Sequence, residues 1–379
     1  MKNTTASSSL SFGLTGLLAL TGCVGTSDSA LPEKTAPETL SVVVTTTILG
    51  SVVRDIVTCV AGDDAGLSVI MPIGVDPHDF QASSEQVALM VGADLTVVNG
   101  LGLEAGLVST FETLSAEGNP IYEVAAEVNP LPFGRSDDDH AGEEKASDDH
   151  AGDDHAGEEK AGDDHAADEH AGEEKASDDH AADDHAGEEK AGDDHANEDE
   201  HGHGGFDPHF WFDMDRMATA AELVGVRLGA VGGEQYVTCG ESVGAEIRAA
   251  EGNIIRILSS VPSAQRILVT DHDALAYFAD RYDFEVVGVV IPGGSTLGET
   301  SSQDLATLVS VMRDRQVSAI FGNQATNADI LAVLADEVGS RVSVTEVFVG
   351  SLGGPGSGAE TYIDMMTTNA TRISQALAD

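Results

Sequence analysis

EQYVTCGESVGAEIRAAEGNIIRILSSV, residues 234–261, is the stretch that decides how this chain is built. Apolar residues recur along it near helical spacing for nearly thirty positions, which predicts one helix long enough to join two separate lobes. On either side the pattern changes. Upstream, LSVVVTTTILGSVVRDIV (40–57) reads as a β-branched strand over about 41–47 running into a helix over about 49–59. LSVIMPIGVDPHDF (67–80) gives a strand at 67–71 and a Pro/Gly loop carrying His78, with a helix from about 83. ADLTVVNG, a helix near 103–115 and the short strand PIYEVA continue the alternation. Downstream, RILVT, DALAYFADRY, FEVVGVVI, SQDLATLVSVMRD, VSAIF, ADILAVLADEVG and VSVTEVFV repeat it, with a closing helix from about Glu360. Strand and helix in strict alternation imply parallel β-α-β units with right-handed crossovers, so each lobe is an α/β unit with a mostly parallel sheet flanked by helices. The expected organisation is an N-terminal lobe over 41–232, a linker helix over 233–262 and a C-terminal lobe over 263–379.

The chain of 379 residues carries 66 acidic and 18 basic side chains, a formal charge of −48. Nucleic acid and anionic lipid would be repelled, so no nucleic-acid partner is expected and cationic partners are favoured. Half of that charge lies between 136 and 204, where 28 acidic residues stand against 4 lysines. There Glu-Glu-Lys recurs every 15 residues, at 143, 158, 173 and 188, interleaved with histidines at 140, 150, 155, 165, 170, 180, 185 and 195. No Val, Ile, Leu or aromatic residue occurs in the repeat, so nothing offsets the entropy of ordering it, and the insertion is expected to be disordered when metal-free.

The N-terminus, MKNTTASSSLSFGLTGLLALTGC, has an apolar run from about Leu10 to Leu20, then Leu20-Thr21-Gly22-Cys23. This looks like a bacterial lipoprotein signal over 1–22, with Cys23 as the acylated residue and a Ser/Thr/Pro-containing tether over 23–40. The run is too short to span a bilayer. The expected location is therefore extracytoplasmic, anchored to the cell membrane through lipid on Cys23. Cys59 and Cys239 remain, an even count in an oxidising compartment that favours a disulfide, the rival reading being two free buried thiols. Neither sits in the spacing of a cysteine metal site.

Ten of the 13 histidines lie in the insertion: His140, His150, His155, His165, His170, His180, His185, His195, His201 and His203. The other three, His78, His209 and His272, each sit in a loop beside a regular element, in DPHDF, DPHFWFD and TDHDALAYF. An open α/β sheet binds ligands beyond the carboxyl ends of its strands, which is where His78 and His272 fall. Alone, each is more often a satisfied structural histidine than a ligand; three in equivalent settings shift that reading towards a metal site.

MPIGVDPHDFQAS, DPHFWFDMDRM, ILVTDHDALAYFADRY and GAETYIDMMTTNATRISQAL, in that order, resemble the motifs of the zinc- and manganese-binding solute-binding lipoproteins of ABC importers. The similarity covers nearly all of the chain after the tether, and an acidic His-rich insertion before the second motif resembles the zinc-importing members. The resemblance implies a two-lobed metal-binding protein with one long connecting helix, whose metal ligands are His78, His209 and His272. It implies a metal ABC permease in the membrane as partner; a monomer is expected. Imidazole nitrogens in tetrahedral geometry suit Zn²⁺, and a third histidine where more oxygen would favour manganese puts Zn²⁺ ahead of Mn²⁺.

At the fourth position the chain departs from the pattern. Where relatives often supply a carboxylate, AIFGNQATN and FVGSLGG place Asn323 and Gly350, so three histidines plus water, or plus a group from the insertion, are expected. Asp79, Asp271 and Asp273 flank two of the ligands and are candidates to orient an imidazole through its second nitrogen, or else solvated loop acids and helix caps. The insertion itself offers many weak, similar sites, because a flexible repeat must order itself around each ion; it is expected to gather cations beside the tight site. The rival to that role is a solvated spacer. Two other functions compete with transport: an envelope adhesin or zinc buffer, and a zinc hydrolase using three histidines and a bound water. No H-E-x-x-H occurs, and no general base is placed by motif.

Overall fold

The computed structural model describes residues 40–62, 66–133, 205–323, 328–339 and 342–378. The signal segment, Cys23 and its tether to residue 39, and the insertion from 136 to 204 with its ten histidines lie outside the described residues, as do residues 134 and 135.

In the N-terminal half, strands β1 (Ser41–Val44), β2 (Gly66–Val69), β3 (Leu95–Val98) and β4 (Ile121–Glu123) alternate with helices α1 (Thr47–Ala61), α2 (Ser84–Val91) and α3 (Val108–Ala116). All pair in parallel, in the order β2-β1-β3-β4. In the central strands, residues 42–44 of β1 and all of β3 are unbroken apolar or β-branched runs buried on both faces, as a sheet covered by helices on both sides requires. Thr46 ends β1 and starts α1 within two residues: its hydroxyl accepts the Leu49 N–H at 3.2 Å. Ser83 and Gln86 do the same for α2 with a reciprocal capping box. The helix expected near 103–115 begins later. A 3-10 turn at Ala105–Leu107 precedes α3, because the Glu104 carboxylate reaches back to the N–H groups of Asn99 and Gly100.

After the gap, α4 (Met214–Gly232) and α5 (Gln235–Leu258) form a packed helical pair. α5 is the long helix, and it also lies against α1 and, further on, the C-terminal helix α9 (Tyr362–Ala378). Its expected span of 233–262 is trimmed at both ends, by Gly233 at φ 109° and by the turn after Ser259. Glycines inside the pair have a packing reason: a Cβ on Gly225 would stand 2.9 Å from the Gly240 Cα, and one on Gly240 would stand 2.8 Å from the Ala221 carbonyl oxygen. The two backbones meet there without side chains between them.

The C-terminal half repeats the first, with β5 (Ile267–Thr270), α6 (Ala276–Tyr282), β6 (Glu285–Val289), α7 (Ser302–Asp314), β7 (Ala319–Asn323), α8 (Ala328–Val338) and β8 (Ser343–Val347). Its sheet is again parallel, in the equivalent order β6-β5-β7-β8. The two sheets share their largest core. One cluster of buried side chains runs from Val42, Val44 and Val97 of the first sheet, through Phe210, Trp211, Phe212 and Tyr362, to Leu268 and Phe321 of the second. Each sheet adds a smaller cluster of its own. Cys59 of α1 and Cys239 of α5 are joined by a disulfide, with Cα atoms 6.0 Å apart and a sequence separation of 180. No helix among the described residues is long and apolar enough to cross a membrane.

Candidate metal centre

His78 lies in the loop between β2 and α2, His209 just before a 3-10 turn (Phe210–Phe212) that leads into α4, and His272 just after β5. Both sheets therefore present loops at their carboxyl ends to one spot, as expected at the switch point of open α/β sheets. There the three imidazoles meet, all buried, with ring centroids 5.2–5.6 Å apart. One ring nitrogen from each can be chosen so that all three lie within 4.8 Å of one another. The Nε2 atoms of His78 and His209 are 3.3 Å apart. Two nitrogens bound at about 2.0–2.1 Å to a tetrahedral centre would be separated by about 3.3 Å. The Nε2 of His272 is buried and has no hydrogen-bond partner. A buried polar atom without a partner is costly, and a cation between the rings would satisfy it.

Carboxylates behind the rings fix which nitrogen faces inward. Asp207 Oδ1 accepts from the backbone N–H of His209 at 2.9 Å and lies 2.7 Å from its Nδ1. Asp271 Oδ1 does the same for His272, at 2.9 and 3.0 Å, while its Oδ2 accepts the Asn323 N–H at 2.8 Å. Each Nδ1 is thereby occupied and each Nε2 is left to the centre. Burial, with His272 close by, holds the His209 pKa well below the ordinary histidine value, so this ring is neutral and ready to ligate. Burial also pushes the Asp207 carboxyl up to about 7, against the hydrogen bond from the His209 N–H and the charge of His272. At His272 burial opposes protonation, but the hydrogen bond and charge of Asp271 outweigh it and the pKa is raised.

Aromatic residues support this polar cluster. The Trp211 ring lies 5.1 Å from that of His209, and its indole N–H donates to the Val349 carbonyl at 3.0 Å. The Tyr277 hydroxyl donates to the Asp207 carbonyl at 2.7 Å and accepts the Leu131 N–H at 2.9 Å. The Asn99 side chain donates to the Pro208 carbonyl at 3.0 Å.

Of the acids singled out in the sequence, Asp271 holds a ring. Asp79 is exposed and, among the described residues, makes no hydrogen bond to an imidazole; the acid that accepts the His78 N–H, at 3.0 Å, is Asp76. Asp273 is half-buried near the centre, its backbone N–H donating to Gly293 and its carboxyl pushed up to about 6 by burial and by Asp207. Asn323 ends β7 with its backbone on Asp271, and Gly350 is buried against Pro77, where a Cβ would come within 2.6 Å of the proline Cδ. Sequence reasoning passed over Asp76 and Asp207 although their signal was present. Both begin an Asp-Pro-His triplet, and in both the aspartate side chain accepts the histidine N–H two residues on, an Asx turn.

The sequence matches the family described as zinc-uptake complex component A, periplasmic, over residues 42–376. The chain belongs to this family. Among curated relatives, the chain is 25% identical over 364 residues to the manganese-binding lipoprotein MntA of Halalkalibacterium halodurans, covering 95% of each chain. It is 25% identical over 369 residues to the zinc-binding protein TroA of Treponema pallidum, covering 96% of this chain and 95% of the other. In fold it is similar to the solved periplasmic zinc-binding protein TroA, with a TM-score of 0.63 at 24% identity over 90% of this chain and 100% of that one. A Mn-bound periplasmic metal-binding protein from Candidatus Liberibacter asiaticus has the same architecture, with a TM-score of 0.61 at 19% identity over 89% of this chain and 98% of that one. The chain is thus a metal-binding, substrate-binding member of the metal ABC importers and not an enzyme, which removes the hydrolase reading.

Proposed function

We propose that this protein captures Zn²⁺ between its two lobes through His78, His209 and His272 and presents it to an ABC permease. The observation that carries the reading is the convergence of three buried imidazoles from separate loops, two of them with Nε2 atoms 3.3 Å apart and a third with an unpartnered Nε2. Zinc is favoured over manganese because the donors are nitrogens. One oxygen each of Asp207 and Asp271 is engaged with a histidine Nδ1 atom, and Asn323 and Gly350 supply no anionic oxygen. Water, or a group from the insertion, completes the coordination. The protein acts outside the cytoplasm, held at the membrane by lipid on Cys23, in keeping with the lipoprotein names of several relatives. Its acidic, histidine-rich insertion raises the local cation concentration beside the site.

Competition titration against a chelator tests this. Wild-type protein is expected to show one tight Zn²⁺ site, with Mn²⁺ weaker, plus several weak sites. Changing His78, His209 and His272 together to Ala abolishes the tight site and spares the weak ones, whereas deleting 137–203 does the reverse. Tight binding that survives in the triple variant sinks the reading.

A further inference from the structure

The loop that carries His78 belongs to the first lobe in sequence, yet it is gripped by the second. Three contacts reach residues 74–77 from two separate C-terminal loops. The Thr296 hydroxyl donates to Asp76 Oδ2 at 2.6 Å. The Gly74 N–H donates to Ser351 Oγ at 2.8 Å. Gly350 lies so close to Pro77 that a Cβ would meet its Cδ at 2.6 Å. The other oxygen of Asp76 accepts the N–H of His78 itself at 3.0 Å, so the Thr296 contact is one side chain away from the ligand's backbone. The other two histidines are held differently. Asp207 and Asp271, each within two residues of its histidine, reach the ring as well as the backbone, and His209 and His272 belong to segments buried in the core. Asp76 occupies in its Asp-Pro-His triplet the place that Asp207 has in the other, but it spends its second oxygen on the opposite lobe.

We propose that Thr296, Gly350 and Ser351 are positioning residues that hold His78 in the site from the C-terminal lobe, so that metal leaves when the His78 loop parts from that lobe. This rests on the three-histidine site proposed above. Parting breaks two hydrogen bonds and one close backbone contact and withdraws one ligand of three. The other two stay on their aspartates, so the empty centre keeps its shape for the next ion.

The test is the rate at which the full-length, Zn²⁺-loaded protein releases metal into excess chromophoric chelator in a stopped-flow instrument. Thr296→Val removes the hydrogen bond to Asp76, Ser351→Ala removes the one from Gly74 together with those to Thr47 and the Leu352 carbonyl, and each is expected to speed release about tenfold. Gly350→Ala, which pushes Pro77 outward, acts in the same direction. Thr296→Ser keeps the hydroxyl and releases within about twofold of wild type. Thr307→Val, which removes an exposed hydroxyl bonded within α7, has no effect. With Co²⁺ in place of Zn²⁺, the visible spectrum of Gly350→Ala is altered, a change that general loss of stability does not produce. Wild-type release rates in both Thr296→Val and Ser351→Ala overturn the proposal, as does equal acceleration by Thr307→Val. Should Ser351→Ala fail to fold, Thr296→Val and Gly350→Ala decide the matter. Retention of tight Zn²⁺ by the triple histidine variant defeats the site itself; loss of it there, with wild-type release in the clamp variants, defeats only the clamp.

Discussion

A metal ligand is a side chain whose freedom has already been removed, and at the proposed ligands the removal is local. In Asp76-Pro77-His78 and Asp207-Pro208-His209 the proline fixes its own φ and restricts the residue before it, while the aspartate side chain accepts the histidine N–H. Backbone direction is thus set over three residues, before any tertiary contact forms. Ring orientation is set separately, by Asp207 and Asp271 on the Nδ1 atoms. Asp271→Asn removes one of the two oxygens that together serve three N–H groups. It is expected to weaken Zn²⁺ binding by about 10–100-fold with the fold intact, measured by chelator competition alongside circular dichroism.

At the scale of elements, the α4–α5 pair and its link to α1 keep the two sheets in register. Position within α5 decides the sign of a glycine substitution. Gly240→Ala places a methyl 2.8 Å from the backbone of α4 and is expected to cost about 1–3 kcal/mol. Gly252→Ala, on the same helix with nothing within 4 Å, is expected to gain about 0.5–1 kcal/mol from helix propensity. Denaturant midpoints of the two variants check both signs. The Cys59–Cys239 bond closes a loop across 180 residues, so in the chain-entropy limit its removal by Cys59→Ser with Cys239→Ser costs about 5 kcal/mol. Metal affinity measured below the lowered unfolding midpoint is expected to stay near wild type, since neither sulfur belongs to the site.

Across the whole molecule, the shared core makes the lobes one cooperative body, with the centre at the place where their loops meet. Calorimetry is expected to show a single transition, where two independent lobes would give two. An ion held as proposed binds only the assembled site, so Zn²⁺ at about a thousand times its dissociation constant is expected to add about 4 kcal/mol of stability, which a chelator removes. For a folded body of this size that is a rise of about 6 °C in Tm. The increment is expected to vanish in the triple histidine variant and to persist when residues 137–203 are deleted.

Alternating β-branched runs and amphipathic helices made the parallel sheets and the long α5 helix legible from sequence, because hydrophobic periodicity is a local property that each segment carries by itself. The three histidines were legible too, through their loop settings and the resemblance of their motifs. The sequence did not show that both lobes would share a core, that Asp76 and Asp207 rather than Asp79 would serve the first two histidines, or that Gly350 would lie against Pro77. These depend on residues far apart in the chain arriving side by side. A single sequence states which groups exist and what each prefers locally; which of them meet is decided when burial of the common core brings the two carboxyl-end loop clusters together.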